Sequence, residues 1–183
     1  MTRAGVARWV VLAGLSLLAA GCTSDLTPTN AKLEKGLNAY FEGHNECLFP
    51  TGKMFPLEVS PGPDAKGQVK QFDAMKGAGL LKEDADVAIH VERYTLSPLG
   101  ERVAPQFCYG HKVVASVDGF TAPIKKDGVL ETTVNYHATM TYVPVWVDTD
   151  ALKAAFPEMA ANISSAQPGQ IVMATAGAGW QVR

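Results

Sequence analysis

Cysteine and histidine are the side chains of this 183-residue chain best suited to metal binding or to nucleophilic chemistry, and the chain holds three of the first and four of the second. They come closest together in the segment that runs from His44 through Glu46 to Cys47. A structural zinc site needs paired ligands at spacings such as Cys-x2-Cys or His-x3-His, which let the side chains converge on one ion. This segment has no such pair, so the sequence predicts neither a metal site nor a bound cofactor.

The remaining histidines, His90, His111 and His137, each stand alone, and we expect them to be surface or hydrogen-bonded residues. Nucleophilic catalysis needs an activated serine or cysteine with a base in reach. The chain has no Gly-x-Ser-x-Gly motif. Ser116 and Asp118 flank a predicted turn, and nothing in their spacing marks them as catalytic. The sequence therefore predicts no catalytic residue and a protein that is not an enzyme.

The first 21 residues have the composition of an export signal. Arg3 and Arg8 make the start basic, and an apolar run then extends from Trp9 to Ala20. The run is shorter than the roughly 20 apolar residues that a transmembrane helix needs. A signal peptide over residues 1–21 is therefore predicted.

This leader ends in Leu17-Leu18-Ala19-Ala20-Gly21-Cys22, which resembles the lipobox of bacterial lipoproteins, with Ala19 at a position where leucine is commoner. The resemblance implies cleavage before Cys22, diacylation of its thiol with chains such as palmitate, and acylation of the new amine. Thr23 implies the outer membrane, because aspartate at this position retains enterobacterial lipoproteins in the inner membrane. The expected location is thus the outer membrane, facing the periplasm, with the lipid anchor as the membrane contact. The alternative is an ordinary cleaved signal followed by an incidental cysteine.

Cys47 and Cys108 remain once Cys22 carries lipid. An even pair of cysteines in an oxidising compartment predicts a disulfide bond. The alternatives are two buried free thiols or a redox-active pair. A redox pair usually has the form Cys-x-x-Cys at the start of a helix, whereas these two cysteines are 61 positions apart.

The charge of the exported chain excludes one class of partner. Without residues 1–21 it has 14 basic and 18 acidic residues, a net charge of −4, and no basic run. Nucleic-acid binding requires clustered lysine and arginine side chains, so nucleic acid is excluded as a partner. The remaining length fits one domain. The predicted division is a signal peptide at 1–21, a lipidated tether at 22–29 and a single domain at 30–183.

Apolar spacing and turn residues predict the order of the elements. Helices are expected at about 31–42 and 65–77, capped by Asn30 and Asp64. A third helix begins after Asp148 or Thr149, and Pro157 kinks or splits it. The predicted strands and connections after Cys108 are strands at 112–117, 170–175 and 180–182, turns at Asp118-Gly119 and Asp127-Gly128, and a loop at 162–169.

The clearest strand signal is an alternation over residues 131–142. Val134, Tyr136, Ala138, Met140 and Tyr142 fall on one face, and Glu131, Thr133, Asn135, His137, Thr139 and Thr141 fall on the other. A period of two over this length predicts an antiparallel strand with one buried and one solvated face. The polar face supplies the candidate binding residues Thr133, Asn135, His137 and Thr139. The alternative is an ordinary solvated sheet face.

A second local pattern lies upstream, where Phe72–Lys82 ends in Ala78-Gly79-Leu80-Leu81 and Tyr94-Thr95-Leu96-Ser97-Pro98-Leu99-Gly100 follows. It resembles the end of a winged-helix domain over residues 66–102, with Ser97 in place of the usual threonine. The resemblance implies a helix, a β-hairpin wing and a turn at Gly100. Only Lys66, Lys70 and Lys76 are basic nearby, so it implies a fold and not DNA binding.

Together these elements predict an α+β fold with two N-terminal helices and a winged-helix-like hairpin, followed by an antiparallel sheet with one crossing helix. The pattern from Phe107-Cys108-Tyr109-Gly110 through the Thr-rich strand to Gly179-Trp180 is similar to uncharacterised proteobacterial lipoproteins. The expected function is a lipid-anchored envelope protein with a non-enzymatic structural or protein-binding role and an envelope protein as partner. The alternative is a small-ligand or metal-binding lipoprotein that uses His44, Glu46 or His137.

Overall fold

The structure is a computed structural model that describes residues 26–60, 62–86, 91–177 and 179–183. Strand exceeds helix, at 39% against 34%, and an antiparallel sheet that curls into a half-barrel dominates the fold. The helices are α1 (Asn30–Glu42), α2 (Lys66–Gly77), α3 (Pro98–Val103), α4 (Asp150–Ala155) and α5 (Pro157–Ser164). The strands are β1 (Asn45–Cys47), β2 (Leu57–Val59), β3 (Leu81–Asp86), β4 (Val91–Leu96), β5 (Cys108–Phe120), β6 (Ile124–Lys126), β7 (Val129–Thr141), β8 (Gln167–Ala176) and β9 (Gly179–Val182).

The large sheet has the strand order β1-β5-β7-β8-β9, and β6 pairs with the start of β7. Its two longest strands, β5 and β7, have 13 residues each and pair antiparallel along most of their length. The predicted alternation is present in the middle of β7, where Val134, Tyr136 and Ala138 are buried. These side chains face a core shared with α1 and β9.

Helix α1 covers the inner face of this sheet. Leu33, Leu37 and Phe41 form its buried stripe, as the helical spacing predicts. Gly36 lies against the backbone of Trp180 on β9, where a Cβ atom would overlap the Trp180 carbonyl oxygen. The absence of a side chain at this position lets the helix approach the strand closely.

A second layer contains the three-stranded sheet β2-β4-β3 together with α2, α4 and α5. Its core is rich in aromatic residues, and Phe72, Tyr94 and Phe107 have no exposed surface. The Tyr94 hydroxyl donates to Glu92 and Asp73, at 2.9 and 3.2 Å. Burial, reinforced by these two carboxylates, raises the pKa of Tyr94 well above its ordinary value.

The predicted architecture of two N-terminal helices, a wing, a sheet and one crossing helix is wrong. Helix α1 packs on β5 and β9 of the large sheet, whereas α2 packs on α4 and β3, so the two helices do not form the core of one winged-helix unit. The predicted hairpin exists as β3 and β4, but β2 joins it as a third strand. An apolar stripe shows that a helix is buried but not what it packs against, and three-residue strands such as β1 and β2 have no detectable period.

Several local predictions also need correction. Asp118-Gly119 is not a turn, since β5 continues through it to Phe120. Gly100 lies inside α3 and not in a turn. The caps differ as well, because Thr29 caps α1 and α2 follows a 3-10 turn without a side-chain cap. The expected loop at 162–169 is shared between the end of α5 and the start of β8.

Other local predictions are confirmed. Thr149 caps α4, and Pro157 begins a separate helix α5, so the third predicted helix is split. The turn at Asp127-Gly128 connects β6 and β7. The predicted signal peptide, Cys22 and His90 lie outside the described residues. Residues 26–29 of the predicted tether are described and lie against the domain.

Candidate functional site

The candidate binding residues Thr133, Asn135, His137 and Thr139 lie on the outer face of β7, on the side of the sheet opposite α1. Asn135 is exposed, and the other three are half-buried. The Gln170 amide on β8 donates to the Asn135 side-chain oxygen at 2.8 Å. This face therefore carries polar side chains along β7, which are partly linked by their own hydrogen bonds.

At the centre of this face, three side chains from two strands form a hydrogen-bonded line. The His137 Nδ1 donates to Asp118 Oδ2 at 2.6 Å, and the Ser116 hydroxyl donates to Asp118 Oδ1 at 2.7 Å. The hydrogen bond from Ser116, together with that from His137, holds the pKa of Asp118 below its ordinary value. The His137 and Asp118 side chains are 44% and 41% exposed, so the cluster is open to solvent.

Two bulges in β5 place Ser116 and Asp118 on this face. The pairing of β5 with β7 shifts between Val114 and Ser116, and again between Val117 and Gly119. A bulge adds one residue to one strand and so reverses which face the following side chains occupy. Without the first bulge, the alternation from buried Val114 would turn Ser116 and Asp118 towards the core.

Helix α1 holds both bulges from the other side of the sheet. The Val114 N–H donates to the side-chain oxygen of Asn38 at 2.8 Å, and the Asn30 side-chain amide donates to the Val117 carbonyl at 3.2 Å. These bonds satisfy backbone groups that an irregular strand leaves without a ladder partner. This arrangement could not be predicted from the sequence, because the two asparagines resemble ordinary polar positions on a helix.

The geometry of the cluster is unsuited to acyl transfer. A serine nucleophile requires a hydrogen bond to the base that will take its proton. Ser116 instead donates to the carboxylate that also holds His137, so the contact between hydroxyl and imidazole is missing. The cluster instead presents hydrogen-bonding groups to solvent, since both the His137 and the Asp118 side chains are partly exposed.

Two residues of the predicted alternation behave differently from the rest. Glu131, expected on the wet face, is buried with 8% of its side chain exposed and is ion-paired with Arg183. Tyr142, expected to face the core, is 82% exposed and has a positive φ of 56°. The alternation therefore ends where β7 ends, at Thr141.

Tyr142 begins a second surface that the sequence analysis did not identify. Tyr142, Val143 and Val145 are 82%, 41% and 91% exposed, and we call this group the distal apolar surface. Trp146 and Val147, which follow at once, are buried. A groove of about 450 Å³ lies beside the group. It is lined by Val143, Pro144, Val145, Val147, Asp148, Lys153, Ala160, Ile163 and Ser164.

The cysteine and histidine residues considered as metal ligands have other partners. Cys47 and Cys108 form the predicted disulfide bond, which joins β1 to the start of β5. His44 stacks on Tyr40 and approaches its carbonyl oxygen, while Glu46 pairs with Lys112 at 2.7 Å. In the part of the chain that the structure describes, no group of three or more His, Cys, Asp or Glu residues could hold a metal ion.

Comparisons with protein-family models, with curated proteins and with solved structures find no match to this chain. Among the described helices, none has the length and apolar composition that a membrane crossing requires.

Proposed function

We propose that this chain is an exported envelope protein, anchored through lipid on Cys22 in the outer membrane, and that it binds a protein partner in the periplasm through the distal apolar surface. The observation that carries the binding role is the exposure of Tyr142, Val143 and Val145 beside one groove. Single exposed apolar residues are common, whereas a contiguous exposed apolar patch marks an interaction site.

The position of the distal apolar surface favours a protein, and not the anchoring membrane, as its binding partner. The Leu26 carbonyl accepts a hydrogen bond from Trp180 Nε1 at 3.2 Å, so the chain enters the domain beside β9. Trp180 pairs with Thr175, whose hydroxyl accepts from the N–H of Leu130, near the start of β7. Tyr142 follows the opposite end of β7, which has 13 residues. At about 3.3 Å per residue this strand spans up to roughly 40 Å, so the surface lies near the end of the domain that is remote from the anchored end.

The groove indicates the chemistry of the partner. Most of its lining residues are apolar, and its charged residues Asp148 and Lys153 already pair with each other at 2.6 Å. A partner would therefore bury an apolar side chain here within a polar rim, as protein interfaces commonly do. A charged partner side chain would find no unpaired charge in Asp148 or Lys153 and would lose hydration.

The test is photocrosslinking in cells with p-benzoylphenylalanine in place of Val145. A matched control carries the same probe in place of Val172, which is 40% exposed on the outer sheet face. We expect one envelope protein to be crosslinked from position 145 and not from 172, and the purified partner to bind the wild-type chain but not Val145→Asp. A crosslink only to a second copy of this chain, or equal labelling from both positions, would refute the proposal.

The anchor has its own test. Cys22→Ser, or inhibition of the lipoprotein signal peptidase with globomycin, is expected to block processing and to release the protein from the outer-membrane fraction. Unchanged processing and fractionation would show that Cys22 is not the anchor.

A further inference from the structure

The short tether determines which part of the domain lies next to the bilayer, and this inference rests on the proposed anchoring. Leu26 is four positions after Cys22, and an extended chain spans at most about 3.5 Å per residue. Leu26 therefore lies within roughly 14 Å of the acylated cysteine. A domain held at this distance has one end in reach of the lipid headgroups.

The residues from Leu26 onward do not lengthen the tether, because hydrogen bonds fix them to the domain. The Leu26 carbonyl is bonded to Trp180, and the Thr27 carbonyl accepts from the Lys32 ammonium at 3.0 Å. The Thr29 hydroxyl then accepts from the backbone N–H of Lys32 and caps α1. The end of the domain around Trp180 is consequently the end that the anchor holds at the membrane.

Strand β6 lies at this same end. Lys125 pairs with Leu130 on β7, the Leu130 N–H donates to Thr175 on β8, and Thr175 pairs with Trp180 on β9. These residues form one transverse row of the sheet. Adjacent strands lie about 4.8 Å apart, so three spacings place β6 roughly 14 Å from β9.

The composition and exposure of β6 suit a membrane surface. All three of its residues are exposed, and Ile124 retains 61% of its surface. Lys125 and Lys126 follow it directly, and the contact of Lys126 with Glu131 is loose at 3.8 Å. An exposed apolar side chain beside lysines matches the interfacial region of an anionic bilayer, where the apolar group enters the headgroup layer and the ammonium groups approach phosphate.

We propose that β6 is a membrane-contact strand, with Ile124 inserted among the headgroups of the anchoring bilayer and Lys125 and Lys126 on anionic phosphate. The lipid anchor holds the domain near the membrane, and β6 gives it an orientation. The distal apolar surface is thereby directed away from the bilayer and towards its partner.

The experiment uses the full lipidated chain reconstituted into vesicles of phosphatidylethanolamine and phosphatidylglycerol. p-Benzoylphenylalanine replaces Ile124 in one sample and Val145 in a matched control, and lipid adducts are measured by mass spectrometry after illumination. We expect lipid adducts at position 124 and none at 145. The yield at 124 should fall severalfold when phosphatidylcholine replaces both lipids, or when Lys125→Glu and Lys126→Glu are combined.

A second control carries Lys66→Glu and Lys70→Glu on α2, and we expect it to leave the adduct yield at position 124 unchanged. Absence of adducts at 124 in a vesicle-bound protein would overturn the membrane-contact strand while leaving the anchor intact. If the adduct yield at position 124 depends neither on the lipid charge nor on Lys125 and Lys126, the proposed role of these two lysines is refuted. A protein that does not stay with the vesicles would instead refute the anchoring itself.

Discussion

His137 and Asp118 make a 2.6 Å hydrogen bond across β5 and β7, although the residue opposite His137 in the strand register is Ser116. Asp118 reaches the imidazole because it is the extra residue of the second bulge. The contact thus depends on the irregularities of β5, and these in turn depend on Asn30 and Asn38 of α1.

Asn38→Ala tests this dependence. The substitution leaves the N–H of buried Val114 without its acceptor, which costs about 1–3 kcal/mol of unfolding free energy. Urea denaturation measures the loss, and the NMR signals of the His137 ring report whether its contact with Asp118 is disturbed. Asn135→Ala is the control, because Asn135 bonds only at the exposed surface, and its effect should stay within about 0.5 kcal/mol. Equal effects of both variants would contradict the role of Asn38.

The Asp118 carboxyl group makes the stability of the folded protein depend on pH. Its pKa in the folded protein lies below the ordinary value of 3.8, so its contribution to stability is present above that value. The contribution is lost as the pH falls through the folded pKa. Asp118→Asn should therefore be less stable than the wild type at neutral pH, and the difference should shrink in acid below pH 3.8. Urea denaturation at both pH values measures the effect. A stability difference between the wild type and Asp118→Asn that does not change with pH would count against the prediction.

The disulfide bond should contribute substantially to stability. Replacing Cys47 and Cys108 with serine removes a crosslink between β1 and β5, which costs roughly 2–4 kcal/mol. Thermal or urea unfolding measures the difference. Thiol titration of the unfolded, unreduced Cys22→Ser variant should find no free thiol. Two free thiols in that titration would show that the bond does not form.

Two helical glycines should respond in opposite directions to alanine. Glycine inside a helix is less stable than alanine by roughly 0.5–1 kcal/mol, and a Cβ at Gly67 on α2 meets nothing within 4 Å. Gly67→Ala should therefore stabilise the protein by about that amount. At Gly36 the new Cβ overlaps the carbonyl oxygen of Trp180, and moving α1 from β9 costs about 1–3 kcal/mol. Stabilisation by both alanines would mean that the close approach at Gly36 does not constrain α1.

Aspartate substitutions at Val145 and Val147 distinguish an effect on partner binding from an effect on stability. Val145→Asp should leave the unfolding free energy within about 0.5 kcal/mol of the wild-type value, because its side chain is already in water. Val147 is 2% exposed, so Val147→Asp should cost about 3 kcal/mol or more. Urea denaturation compares the two variants. A large loss at Val145 would place that side chain in the core and remove it from the distal apolar surface.

The sequence predicts features that depend on local chemistry. The alternation of Val134, Tyr136 and Ala138 identifies β7 and its buried face because a half-buried strand must repeat every two residues. Pro157 splits a helix because it lacks an N–H and clashes with the preceding turn. The disulfide follows from the count of cysteines and the predicted compartment.

The features that the sequence analysis missed depend on contacts between distant segments. The bulges of β5 are stabilised by asparagines about 80 positions away, and neither β5 nor α1 indicates them alone. Burial of Glu131 depends on Arg183, and exposure of Tyr142 depends on where β7 leaves the sheet. The separation of α1 and α2 into different layers has the same origin, because both helices have similar apolar stripes.

The position of Gly36 against Trp180 also has a consequence for the order in which the molecule is completed. Helix α1 packs against β9, a strand that is synthesised some 140 residues later. Until β9 arrives, Leu33 and Leu37 lack part of their cover. Contacts of such long range slow folding, so we expect the packing of α1 on the sheet to be among the later steps of folding.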